Sequence, residues 1–292
     1  MYNIFELTKR NIKIYLRDKT AVFFSFLSVI IMLLLYFLFL NNMYTQGFDA
    51  FDITDKQKTF LATSQMMAGI LVINTLTLSL GIMGNMVSDL EHHKIDSFLV
   101  TPVKRYKIFL SYYLSAVIVT FVLTLIMWIL TILYLLVSTG YIYDFSTILE
   151  ITLLLLVYTF ISSSIMVLLV SFIKSANAFG AVSGVLGTFV GFVSGIYMPL
   201  AILPKAVSYI SSLIPFTHMT TLLKQKMLEK PFSLIIDKMN PEAVSEMKNA
   251  YGVNDIGIFG LNISSSVLII CSIGLSVILF GLTIYRLSKK DK

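Results

Sequence analysis

"FLATSQMMAGILVINTLTLSLGIMGNM", residues Phe60–Met86, runs for 27 residues without one Asp, Glu, Lys, Arg or His. A helix needs about 20 apolar residues to cross the hydrocarbon core of a bilayer, so this stretch reads as a membrane span. The whole chain supports that reading. Soluble domains carry about a quarter charged residues, whereas here the charged share is 13%, the hydrophobic share 57% and the mean hydropathy +0.86. The solvent for this chain is lipid.

Five further uncharged runs flank the first: Ala21–Leu40, Ile108–Val137, Ile151–Ile173, Ala176–Leu200 and Leu261–Tyr285. The expected fold class is therefore an all-α integral membrane protein with six transmembrane helices. The run at Ala21–Leu40 exceeds the 7–15 residues of a signal-peptide core and no small-x-small cleavage site follows it. It reads as a retained signal-anchor. Lys and Arg gather on cytoplasmic loops, and placing the N-terminus inside puts all four arginines, Arg10, Arg17, Arg105 and Arg286, on the inner side. Both termini are then cytoplasmic. The net charge of +6 calls for no nucleic acid, because anionic inner-leaflet lipid is the natural partner of such a bias.

The opening stretch "MYNIFELTKRNIKIYLRDKT" places Glu6, Arg10, Lys13 and Arg17 on one narrow helical face, with Ile4, Phe5, Leu7, Ile12, Ile14, Tyr15 and Leu16 over the rest. That pattern predicts an amphipathic helix lying in the plane of the membrane. Between the second and third spans, "DLEHHKIDSFLVTPVKRYKI", Asp89–Ile108, packs seven charges into twenty residues. By composition alone it is either a solvated return loop or a surface that touches something.

Several chemistries are excluded. Ion-driven carriers keep ionisable groups inside the membrane to bind or relay the ion, and the six runs contain none. A phosphate-binding loop is missing too: the one Gly-x4-Gly spacing, Gly252/Gly257, continues with Ile258 and Phe259 where Lys and Ser/Thr are required. His92 and His93 are adjacent, about 100° apart on a helix, which does not suit a zinc pair. An enzyme is not expected, no metal is called for, and the single Cys271 allows no internal disulfide.

The fifth run and the residues just past it read "ANAFGAVSGVLGTFVGFVSGIYMPLAILP". Gly180/Gly184 and then Gly187, Gly191 and Gly195 recur at four-residue spacing, and small residues in such rows permit close helix–helix approach. The row serves either packing within one chain or contact across a dimer axis, with Phe189, Phe192 and Val193 on flanking faces. Asn74 and Thr77 are candidate polar contacts in a pathway. Pro199, Pro204 and Pro215 then recur too often for a spanning helix, which predicts a dip into the outer leaflet.

The order of these parts resembles the permease subunit of a type-two (ABC-2 type) ABC exporter. Two stretches carry the resemblance. "LEHHKIDSFLVTPVKR" is similar to the family's acidic helix ending in Thr/Ser-Pro, through Glu91, Asp96, Phe98, Leu99, Thr101, Pro102 and Val103. "SGIYMPLAILPKAVSYISSLIPFTH" is similar to its re-entrant motif at Gly195, Pro199, Leu203, Pro204, Pro215, Thr217 and His218. One departure is that many members have Gly-Thr where this chain has His93-Lys94.

The resemblance implies a division into a cytoplasmic interfacial helix at 1–20, spans one and two at 21–86, a coupling helix at 87–107, spans three to five at 108–200, a re-entrant and extracellular segment at 201–260, and the last span with its tail at 261–292. It implies that Glu91, Lys94 and Asp96 supply charge, Phe98 and Leu99 an apolar anchor and Pro102 a stop where a separate cytoplasmic ABC ATPase docks. Two copies of that ATPase, holding ATP and Mg, would drive a pair of permeases, identical or paralogous, in the plasma membrane. The expected activity is export of an amphipathic or lipid-like substrate, with no cofactor in this chain. The alternative is a non-transporting scaffold, immunity or sensor subunit.

Overall fold

The computed structural model describes residues 2–24, 27, 53–101, 103–196, 204–239, 241–254 and 264–288. All regular structure among them is helical: α1 Tyr2–Arg17, α2 Asp55–Glu91, α3 Lys94–Leu99, α4 Arg105–Thr139, α5 Phe145–Val170, α6 Ala176–Val193, α7 Lys205–Ser212, α8 Pro215–Ser233, a short 3-10 turn at Ile236–Lys238, α9 Pro241–Tyr251 and α10 Ser265–Ser288. Five of these, α2, α4, α5, α6 and α10, are long and apolar enough to cross a membrane. The chain is a multi-pass membrane protein. Most of the expected first span, Ala21–Leu40, lies outside the described residues. A helical stretch does set out at residue 19, where Asp18 Oδ1 accepts the Ala21 N–H at 2.9 Å and breaks the path from α1.

The hub is α2. Its 37 residues rise about 55 Å at 1.5 Å each, beyond the roughly 30 Å of hydrocarbon, so it overruns the expected Phe60–Met86 at both ends. The polar first turn is held: Gln57 accepts the Thr54 N–H at 3.1 Å and donates to the Leu234 carbonyl at 3.1 Å. Of its apolar window 89% is buried inside the chain, against 17% for α6 and 28% for α10. Helix α2 touches α1, α3, α4, α5, α6 and α8.

Lipid tails are as apolar as leucine, so burial alone does not hold helices together in a bilayer, and hydroxyl contacts between them help, each worth about 0.6 kcal/mol. The Thr75 and Ser162 hydroxyls lie 2.8 Å apart, Ser79 and Ser163 3.0 Å, and Ser64 and the Tyr143 hydroxyl 2.6 Å. The Ser162-Ser163-Ser164 run of α5 thus faces α2 and α4, with Ser164 donating to the Tyr113 hydroxyl at 3.2 Å. The opposite faces of α4, α5 and α10 present exposed Ile, Leu and Val, among them Leu130, Leu153 and Ile270, as lipid requires.

Helix α6 runs antiparallel beside α2. A Cβ on Gly69 would come within 2.9 Å of the Ile196 side chain, one on Gly187 within 3.7 Å of the Thr77 methyl, and one on Gly84 within 3.0 Å of the Phe179 ring. Helix α6 is shorter than the expected Ala176–Leu200. Gly195 adopts φ 70°, and Ile196 N–H reaches back to the Gly191 carbonyl at 3.2 Å while Ser194 N–H reaches Val190 at 2.8 Å. These bonds close a glycine-terminated helix end. Gly195 therefore stops the helix instead of extending a packing row.

Beyond α6, Pro204 caps α7 and Pro215 occupies the first turn of α8, where a missing N–H costs nothing. Lys226 and Lys230 of α8 pair with Glu150 and Asp144 at 2.7 and 2.5 Å. A second, smaller core joins Leu228 and Phe232 of α8 to Ile53, Leu61, Ile235, Met247 and Tyr251.

Lys224 of α8, a helix not among the candidate spans, is 4% exposed, and its Nζ donates to the Gly195 carbonyl at 2.9 Å. Burial lowers its pKa to about 8. Below pH 8 both folded and unfolded chains hold the proton and the folded chain carries the full burial penalty. From pH 8 toward the ordinary lysine value near 10.4, only the unfolded chain keeps it, so stability rises with pH in that window. The thermal stability of the wild type relative to Lys224→Met is thus expected to climb between pH 8 and pH 10. A flat difference across that range would mean that Lys224 keeps its proton in the fold as an exposed, hydrated lysine does.

Candidate functional site

The charged stretch folds into a compact assembly centred on Asp89, which lies three residues past the apolar run and is 3% exposed. One carboxylate oxygen accepts Arg10 Nη1 at 2.8 Å and the Tyr112 hydroxyl at 2.6 Å, while Lys94 Nζ lies 3.6 Å from the other. Asp89 thereby ties α1, α2, α3 and α4 together. Arg10 also donates to Asn11 Oδ1 at 2.9 Å, and Asn11 donates to the Ser111 hydroxyl at 3.3 Å. Partial burial is the largest single influence and would lower the Arg10 pKa, but the Asp89 hydrogen bond and the electrostatic contributions of Tyr112 and Asp89 together outweigh it and raise it.

Helix α1 has three faces. Thr8, Asn11 and Tyr15 are buried against the bundle, Phe5 and Leu16 are exposed and apolar, and Lys9, Lys13 and Arg17 are exposed and basic. One side meets protein, one suits acyl chains and one suits headgroups or cytosol, which is the pattern of an in-plane helix. Arg10 departs from the expected cationic face by turning inward to Asp89.

The α2–α3 joint is a two-residue turn in which His93 sits at φ 54°, the left-handed region that glycine fills without strain. The departure from the Gly that the resemblance implies here leaves a β-carbon-bearing residue in that region. His93 Nδ1 and Asp96 Oδ2 are 3.0 Å apart, and His92 Nδ1 lies 2.8 Å from the Ser88 carbonyl. Ile95 of α3 points into the core at 4% exposure, and the Phe98 ring, half-buried, lies under the Arg10 guanidinium at 5.2 Å. Exposed on α3 and its flanks are Glu91, His92, His93, Lys94, Asp96, Ser97, Val100 and Thr101, with Val100 87% exposed.

The expected coupling residues therefore divide. Asp96 lies on the outward face. Lys94 is engaged with Asp89 and Phe98 with Arg10. Glu91 is exposed, yet its Oε2 accepts the Ala176 N–H at 3.1 Å. The Leu99 side chain and Pro102 lie outside the described residues. Sequence reasoning passed over Asp89, Ile95 and Val100 and assigned Arg10 to the cationic face; a lone acid at the end of an apolar run with a basic amphipathic helix nearby was the signal for the Asp89–Arg10 pair.

Among the candidate pathway residues, Asn74 is 1% exposed in the interior of α2, and neither side-chain amide atom has a hydrogen-bond partner among the described residues. Thr77 and Gly187 are brought together. Phe189 and Phe192 are 50% and 45% exposed, whereas Gly191 and Val193 are buried. The open positions on α6 are instead Gly180 and Gly184, where a Cβ would meet nothing within 4 Å. Thr217 and His218 are buried at the start of α8, with His218 Nε2 2.7 Å from the Ser212 carbonyl; Pro199 is outside the described residues. Among the described residues no three His, Cys, Asp or Glu side chains converge as metal ligands would.

The model of the ABC-2 type transporter family matches residues 2–228, from α1 through most of α8. The chain belongs to the ABC-2 type transporter family. It is an ABC transporter permease, a kind of protein that normally works with an ATPase subunit. No curated protein matches the chain. In this ABC-2 permease, the family match covers both the Asp89 assembly and α6.

Proposed function

We propose that this permease exports an amphipathic or lipid-like cargo across the plasma membrane, driven by a separate cytoplasmic ATPase that seats on the outward face of α3. The observation that carries the reading is the construction of α3. Lys94 fastens it to α2, Phe98 meets Arg10 of α1 and Ile95 is buried in the core, while His92, His93, Asp96, Ser97 and Val100 are exposed together in a small patch. A charged rim around an apolar anchor is the composition of specific interfaces. ATP and Mg belong in the ATPase, two copies of which would serve two permeases. The exposed face of α6, with Gly180, Gly184, Val185 and Phe189, suits the second permease, and the basic face of α1 suits anionic lipid.

The test is Val100→Asp. A charge in the centre of a docking patch is expected to reduce capture of the co-expressed ATPase at least about tenfold, the scale of a hot-spot loss. Because Val100 is 87% exposed, the melting temperature of the permease alone is expected to stay put. Undiminished capture would remove α3 as the docking element.

A further inference from the structure

Helix α6 needs one N-terminal cap and has it: the Ser175 hydroxyl accepts the Ala178 N–H at 3.3 Å. A second acceptor reaches the same helix end from 85 residues away, where Glu91 Oε2 takes the Ala176 N–H at 3.1 Å. The first N–H groups of a helix lack partners within it and carry its positive dipole end, so a carboxylate there is both a hydrogen bond and a charge contact.

Position gives this bond its meaning. Glu91 is the last residue of α2 and borders the left-handed joint at His93. Helix α2 is gripped on nearly all sides, while α6 is the least buried of the five candidate spans and has its principal helix contacts with α2 and α7. A movement of α3 meets a fixed rod in α2 and a loosely held one in α6. Of the two, α6 yields.

We propose that Glu91 is a positioning residue that relays displacement of the α3 joint to the inner end of α6, and that it takes no part in ATPase docking. The relay rests on the reading that an ATPase seats on α3. It reassigns the charge that the sequence placed at the docking surface: Glu91 acts within the permease, and the partner reads Asp96 and Val100.

The experiment uses Glu91→Ala, Glu91→Gln and, as a control for simple loss of a cap, Ser175→Ala. In detergent-solubilised permease alone, amide exchange at 176–178 is expected to quicken about tenfold or more in Glu91→Ala and less in Glu91→Gln, whose amide oxygen still accepts. Unchanged exchange in Glu91→Ala overturns the contact. With the co-expressed ATPase, spin labels at Lys104 and Asn177 report the inner end of α6 before and after addition of ATP, Mg and vanadate. The wild type and Ser175→Ala are expected to show a nucleotide-dependent distance change. Glu91→Ala is expected to capture the ATPase as well as wild type, lose that change, and export about tenfold less. A wild-type-like distance change in Glu91→Ala overturns the relay, and loss of ATPase capture makes Glu91 a docking residue and overturns it also. If the wild-type chain captures no ATPase, the proposed function fails together with the relay, and the exchange measurement then reports on the cap by itself.

Discussion

Asp89→Ala is expected to lower the stability of the detergent-solubilised permease by about 2–4 kcal/mol and to abolish ATPase capture with it. Removing one member of a buried charged network leaves the others uncompensated, at roughly 3–5 kcal/mol when all are dry. Arg10 is 30% exposed, so water recovers part of that. What remains is a Tyr112 hydroxyl, an Arg10 guanidinium and a Lys94 ammonium without the acceptor that located all three. Arg10→Ala is expected to do less harm, because Tyr112 and Lys94 still face the carboxylate. A thermal melt ranks the three proteins. Asp89→Ala within about 0.5 kcal/mol of wild type would mean the assembly is not held through this carboxylate.

The second large effect separates two glycines of the same helix pair. Gly69→Leu drives a side chain into Ile196, where even a Cβ comes within 2.9 Å of the side chain and 3.3 Å of Cα, and overpacking of this kind costs about 1–3 kcal/mol. Gly184→Leu meets open space, so the permease alone is expected to melt as wild type. If α6 mates with a second permease, Gly184→Leu holds the two backbones apart and export is expected to fall at least about tenfold. Melting curves in detergent and cargo export in vesicles, run on both variants, give the contrast. Full export by Gly184→Leu would turn that face toward lipid.

Much of this architecture was legible because its signals are long. A run such as Phe60–Met86 has one physical solution in a bilayer, and five of the six expected spans appear as helices long enough to cross it. Helix ends were less legible. The end of α6 depends on the left-handed Gly195, and in sequence that glycine looks like the next member of a row that includes Gly187 and Gly191. The coupling stretch was legible in place but not in role. The resemblance marked Glu91, Lys94, Asp96 and Phe98 as a charged and apolar group, yet nothing in the sequence says which side chains turn inward. Only the fold brings Arg10 and Asp89, 79 residues apart, to 2.8 Å and so engages Lys94 and Phe98 internally, leaving Val100 to stand out. Lys224 was hidden for the same reason: a lysine among outer-segment residues gives no sign that it will be enclosed.

The left-handed conformation of His93 has a consequence for partner affinity. A side chain at that φ costs about 1 kcal/mol relative to glycine, a factor of about five in the balance between the bent joint and an uninterrupted helix running from α2 into α3. The bend is what presents Asp96 and Val100 outward. An ATPase that binds the bent form therefore supplies part of the free energy that a glycine would have provided in advance. If an ATPase seats on α3 as proposed, the His93 strain lowers its affinity by that same factor of about five at most, and a glycine at this position would return it.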